Sequence, residues 1–146
     1  MILLDITGRI SPDNDKTNIY HSFFVPEGVD RLIIDYSYSP KTVSSRKTAI
    51  KLVKECFEKY GEPLIGRPGE YLPVNNLVTL SLDGCGRYIG AAHRQDGDQK
   101  HIISSRLSSP GFIKTEITSG QWRVCLNLHC VNCDIKYSLK VEGVEV

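Results

Sequence analysis

The chain has 146 residues with 18 Lys plus Arg against 17 Asp plus Glu, a length for one domain that buries about 68–70% of its unfolded surface without a disulfide staple. A formal net charge of +1 offers no clustered basic excess, so neither nucleic acid nor an anionic membrane is an expected partner. Five Cys, with no basic apolar leader and no apolar run of membrane-spanning length, are expected as reduced thiols in a cytoplasmic protein.

Ile2, Leu4 and Ile6 alternate with Leu3, Asp5 and Thr7 and predict a first strand, which Gly8 and Ser11-Pro12-Asp13-Asn14-Asp15 bring to a turn. That acidic turn lacks the mid-loop Gly and distal Glu of a calcium loop. Asn18 to Val25 is aromatic and β-branched, Pro26-Glu27-Gly28-Val29-Asp30 is a turn by composition, and Leu32, Ile34, Tyr36 and Tyr38 then alternate with Ile33, Asp35 and Ser37. These two segments predict a strand pair joined by a tight connection.

From Ser44 to Tyr60 the period changes. Ala49, Ile50, Leu52, Val53, Cys56, Phe57 and Tyr60 recur at three- and four-residue steps with a charged opposite face, and Gly61 follows as a cap, which predicts an amphipathic helix laid on a sheet. Its lysines interleave with Glu55 and Glu58 and read as a solvated face. Glu62 to Asn76 is a long Pro- and Gly-containing loop, and Leu77 to Leu82 returns to strand alternation before the turn Asp83-Gly84-Cys85-Gly86. Tyr88 to Arg94 is small in its middle, as where another backbone approaches closely. The polar segment Gln95 to Lys100 leads into extended chain from His101 to Leu107.

The clearest strand follows the Ser119-Gly120 turn, with Trp122, Val124, Leu126 and Leu128 on one face and Gln121, Arg123, Cys125, Asn127 and His129 on the other. Trp122 shares the parity of the apolar residues and is expected to plug the core. Ile135, Tyr137, Leu139 and Val141 make the last strand. The whole predicts a mainly β protein over residues 1–146: an antiparallel, jelly-roll-like β-sandwich with one inserted amphipathic helix.

Chemistry-bearing residues are few. His93, Asp96, Asp98 and His101 offer the nitrogen and carboxylate ligands that Zn²⁺, Mn²⁺ or Fe²⁺ accept, so a divalent metal is the cofactor this loop would take; otherwise it is an exposed tip. Arg94 beside them suits an anion. Cys130-Val131-Asn132-Cys133 reads as two small residues flanking a two-residue hairpin turn, with a labile disulfide or a metal knuckle as alternatives. The wet face of Arg123, Asn127 and His129, together with Arg94, is the place to seek a ligand or partner. Tyr36, Tyr38, Tyr71 and Tyr88 are either sugar-facing or half-buried strand tyrosines. No Gly-x-Ser-x-Gly elbow, His-Glu-x-x-His motif or phosphate-cradling loop is present.

Val25-Pro26-Glu27-Gly28-Val29, Asn76 to Asp83, Arg87 to Ala92, Ser109-Pro110-Gly111-Phe112 and Ile117 to Val124 occur in this order. Through them the chain resembles the N-terminal β-sandwich domain that precedes the PHP-type metallohydrolase domain in the CehA/McbA family. The resemblance spans most of the chain outside the helix and consists of turn formers and core positions, so it implies fold more than activity. It implies a non-catalytic accessory or binding domain whose partner is a metallohydrolase domain. The helical insertion is longer than that module implies, the stretch after Ala92 diverges, and the His-x-His motif of a PHP domain does not occur. Met1 is read as a natural start, and the chain ends where the hydrolase would begin. Two other functions are carried forward: a metal-dependent hydrolytic protein built on His93 to His101, and a carbohydrate-binding module. Self-association through an edge strand is a further expectation.

Overall fold

The computed structural model describes residues 1–145. Its strands are β1 (Ile2–Ile10), β2 (Asn18–Val25), β3 (Val29–Ser39), β4 (Leu77–Gly84), β5 (Arg87–Ala92), β6 (Asp98–Ser104), β7 (Gly120–Cys130) and β8 (Ile135–Glu145), with the helix α1 at Arg46–Lys59. They form two four-stranded antiparallel sheets, ordered β1-β8-β3-β6 and β2-β7-β4-β5. Only β4 and β5 are both consecutive and adjacent; every other connection crosses from one sheet to the other. This is the strand order of a jelly roll, as the alternation and turn spacing predict.

Alternation builds the core. Leu32, Ile34 and Tyr36 of β3 and Leu139 and Val141 of β8 face Val78, Leu80 and Leu82 of β4 and Val124, Leu126 and Leu128 of β7, all buried. The predicted pairing of β2 with β3 is corrected: they lie in opposite sheets, and Pro26 to Gly28 carries the chain across the sandwich. The same correction applies to Cys130–Cys133, which joins β7 to β8 between sheets and is no hairpin turn. In β1 a register shift between Ile2 and Leu4 takes Ile2 out of phase, and it is exposed. Strand β6 starts at Asp98, inside the expected polar segment.

The helix is shorter than the predicted 44–60 and sits differently. Ser45 caps it, its side chain accepting from the Thr48 N–H at 3.2 Å. Gly61, at φ +64, closes it with N–H bonds from Gly61 to Glu58 and from Glu62 to Phe57, a Schellman arrangement. Ala49 and Val53 are its buried residues, and it packs principally on the short turn Pro68–Tyr71, with Phe57 edge-on to Tyr71 at 5.0 Å. It is therefore part of its own small layer and not a helix laid on a sheet, which leaves Cys56 and Tyr60 exposed.

One edge of the sandwich is sealed by residues 105–119. This segment bonds β5 through Ala91 N–H to Gly111 carbonyl (3.2 Å) and Ile113 N–H to Ile89 carbonyl (2.9 Å), and β6 through Ser109 N–H to Ile102 carbonyl (2.8 Å) and Thr115 N–H to Ser104 carbonyl (3.1 Å). Gly90, at φ +149, permits the approach, since a Cβ there would overlap the Gly111 carbonyl. The small middle of the Tyr88–Arg94 segment is thus explained. On the other side, β1 and β2 are the outermost strands of their sheets.

Candidate binding face

The four residues of the expected metal loop do not converge. His93 and Asp96 are exposed in the β5–β6 connection, where Asp96 pairs with Arg94, its Oδ2 accepting from Nε at 2.9 Å. Asp98 opens β6 on the outer face of its sheet, beside Asp35 and Lys100. His101 is three residues further along the same strand and so points into the core. Its Nε2 lies 2.9 Å from Gln99 Oε1 and its ring 5.2 Å from that of Phe112. Gln99 is in turn anchored by donating to the Asp96 carbonyl at 2.8 Å. Among the described residues no three His, Cys, Asp or Glu side chains are grouped to hold a metal ion. The metal set His93, Asp96, Asp98 and His101 is corrected on that geometry.

The buried imidazole has a consequence for stability. His101 is held below its ordinary pKa of 6.5 by burial and then by the Arg94 charge. Burial alone does the same to His21, whose Nε2 lies 3.0 Å from Tyr137 Oη. Below about pH 6.5 the unfolded chain takes up protons that the folded imidazoles refuse, so stability present above that pH is lost as it falls. Melting temperature is expected to be flat from about pH 8 to 7 and to decline below about pH 6.5. A scan of His101→Gln should show a shallower decline; equal slopes for the two proteins would contradict the assignment.

The cysteines are unbridged among the described residues. Cys133 Sγ accepts from Asn76 Nδ2 at 3.2 Å and Cys130 Sγ from Asn132 Nδ2 at 3.1 Å, while Cys56 and Cys85 lie exposed elsewhere. The pair lies in the β7–β8 crossover, and among the described residues no further His, Cys, Asp or Glu groups with it to hold a metal ion.

Arg123, Asn127 and His129 do share the outer face of the β2-β7-β4-β5 sheet. Arg123 sits in a cross-strand row Ser22–Arg123–Asp83–Tyr88. Its guanidinium donates through Nη2 to Asp83 Oδ2 at 2.9 Å and lies over the Tyr20 ring, 4.4 Å from the centroid. The Asp83 hydrogen bond raises the guanidinium pKa, and that bond together with the ring contact places the cation between carboxylate and ring. Cys125, beneath, is buried, and burial pushes its thiol pKa up. Asn127 Nδ2 approaches Ser81 Oγ at 3.5 Å, and His129 Nε2 lies 2.8 Å from Thr79 Oγ1. Arg94 is not on this face: it belongs to the β5–β6 connection.

The same face exposes Tyr20 (52%), Phe24 (57%) and Tyr88 (62%). Tyr20 and Phe24 were not singled out by sequence, nor was Asp83 outside its turn. The parity of β2 carries the signal, because Ile19, Phe23 and Val25 point inward and thereby set Tyr20, Ser22 and Phe24 outward. Of the four tyrosines considered for a sugar surface, Tyr36 and Tyr38 are buried and stacked at 5.7 Å, and Tyr71 packs on Phe57. Tyr88 alone reaches the exposed face. No described helix is long and apolar enough to cross a membrane. No family model and no curated protein matches the chain, and the reading of this face rests on its own geometry.

Proposed function

We propose that the chain is a non-catalytic β-sandwich binding domain that engages a protein partner, a metallohydrolase domain by the resemblance, through the outer face of the β2-β7-β4-β5 sheet. The observation that carries the reading is the fixed Tyr20–Arg123–Asp83 stack, flanked by exposed Phe24 and Tyr88. Rigid Tyr and Arg side chains on a preorganised sheet lose little entropy on contact, which is why such residues dominate the binding energy of interfaces. Among the described residues no three His, Cys, Asp or Glu side chains are grouped beside them as a metal ligand set, and the Thr79–His129 pair on the same face has no third group hydrogen-bonded to the imidazole to orient it as a base.

A second reading, carbohydrate binding, is favoured by Tyr20, Phe24 and Tyr88 lying exposed on one sheet face, where sugar rings stack. Titration of isotopically labelled protein, followed by NMR, separates the two. One arm adds the PHP domain of a CehA/McbA-family protein; the other adds neutral oligosaccharides. The proposal expects amide shifts along β2 and β7 with the PHP domain, an affinity loss of about 2 kcal/mol in Arg123→Ala or Tyr20→Ala, and no hydrolysis of phosphate esters by this chain alone with Mn²⁺ or Zn²⁺ added. Shifts with sugars alone would replace it by the second reading, and turnover would overturn both.

A further inference from the structure

Strand β1 is the outermost strand of its sheet, paired on one side to β8, so half of its backbone donors and acceptors face outward and can template another strand. Its solvent face carries Asp5, Thr7 and Arg9. Across β8, Asp5 stands opposite Lys140 and Arg9 opposite Lys136. Lys140 closes instead on Glu142 at 2.9 Å. Among the described residues neither Asp5 nor Arg9 has an ion-pair partner within 4.0 Å, and both are exposed. Arg9 has only a like charge as its direct cross-strand neighbour, an unfavourable arrangement that an acid on its free side would relieve.

The missing acid is available on a second copy. Opposite charges four residues apart on one face of an edge strand are self-complementary about a two-fold axis. When two β1 strands run antiparallel with Thr7 opposite Thr7, each Asp5 lies opposite the other copy's Arg9. On the inner face the same register sets Leu4 against Ile10, both apolar, and Ile6 against Gly8, large against small. Centring the pairing on residue 5 or 9 would set Asp against Asp or Arg against Arg, and a one-residue slip would put core positions opposite wet ones. We propose that the chain forms a homodimer by antiparallel β1–β1 pairing in this register, joining two four-stranded sheets into one of eight strands. The face carrying Arg123 and Tyr20 belongs to the other sheet, so this inference and the proposed binding role fail independently.

Sedimentation velocity from roughly 1 to 200 μM tests it. The wild type is expected to dimerise with concentration, less so in high salt. Asp5→Arg and Arg9→Asp each turn two attractive contacts into repulsive ones and should weaken the dimer on the order of tenfold or more. The double variant Asp5→Arg/Arg9→Asp restores the complementarity and should dimerise. Mixing the two single variants should do so too, since two cations of one copy then meet two anions of the other. Circular dichroism establishes that each variant is folded, and slower exchange of β1 amides at high wild-type concentration reads the interface without any substitution. A monomeric wild type throughout the range overturns the proposal. So does a dimer indifferent to both single variants, or a folded double variant and mixture that stay monomeric.

Discussion

Trp122→Ala is expected to cost about 3–5 kcal/mol, the range for emptying a buried Trp site, and to lower the melting temperature by roughly 6–20 °C for a domain of this size. The indole is 2% exposed, donates its N–H to the Thr118 carbonyl at 2.8 Å and lies directly over Gly84. The loss has two parts: the cavity between β7 and β4, and the hydrogen bond to the segment that seals the β5–β6 edge. A Cβ on Gly84 would sit 2.6 Å from the indole ring, so Gly84→Val should be damaging by itself yet partly restorative in the Trp122→Ala background, where it fills the vacated space. A double-mutant cycle in urea, followed by far-UV circular dichroism because the protein's one Trp is removed, reads the coupling. Additive costs would mean that the ring does not rest on Gly84 as described.

How this ring came to be legible while other features were not follows from the range of the information involved. The inward parity of Trp122, Val124, Leu126 and Leu128 is written in adjacent residues, because each alternate position of β7 meets the same core. The Asp83–Gly86 hairpin is equally local: Cys85 and Gly86 both take positive φ, 49 and 78, as a two-residue turn demands. Pro26 to Gly28 has turn composition too, yet it crosses between sheets, and composition does not tell a hairpin from a crossover. Sheet partnership depends on which faces remain to be buried once all eight strands are present.

The candidate face divides along the same line. Arg123, Asn127 and His129 follow from the parity of one strand, whereas Asp83 and Tyr88 join Arg123 only through the registers of β4 with β7 and β4 with β5. Conversely, the metal expectation treated His93, Asp96, Asp98 and His101 as one loop. Once Asp98 and His101 fall on a single strand, their odd separation sends them to opposite faces, and hydrogen bonding to Gln99 absorbs the imidazole inside. The self-complementarity of Asp5 and Arg9 on β1 is visible in sequence, but it acquires meaning only when topology leaves β1 at an edge.

Asn76 is the residue whose importance is least local, and Asn76→Ala is expected to cost about 2–5 kcal/mol. It is fully buried just before β4, at the junction of three connections. Its Nδ2 donates to the Pro40 carbonyl at 2.9 Å and to Cys133 Sγ, its Oδ1 accepts from the Asn132 N–H at 2.7 Å, and its own N–H donates to the Lys41 carbonyl at 2.8 Å. One amide thereby ties the stem of the helical insertion to the β7–β8 crossover. Truncation takes the partner from the Asn132 donor and the Pro40 acceptor in a part-buried junction, and each such loss costs about 1–3 kcal/mol. Asn76→Asp separates hydrogen bonding from shape. The carboxylate keeps the acceptor for Asn132 but must either bury a charge or hold a proton, so its folded pKa is raised. The stability deficit of that variant relative to the parent should therefore shrink as pH falls through the raised pKa, as its protonated carboxyl donates to Pro40, while the histidine-driven decline is common to both proteins. Urea midpoints of parent and variant between about pH 7 and pH 5 measure the converging difference, and a constant difference would place the Asn76 side chain outside the bonds described.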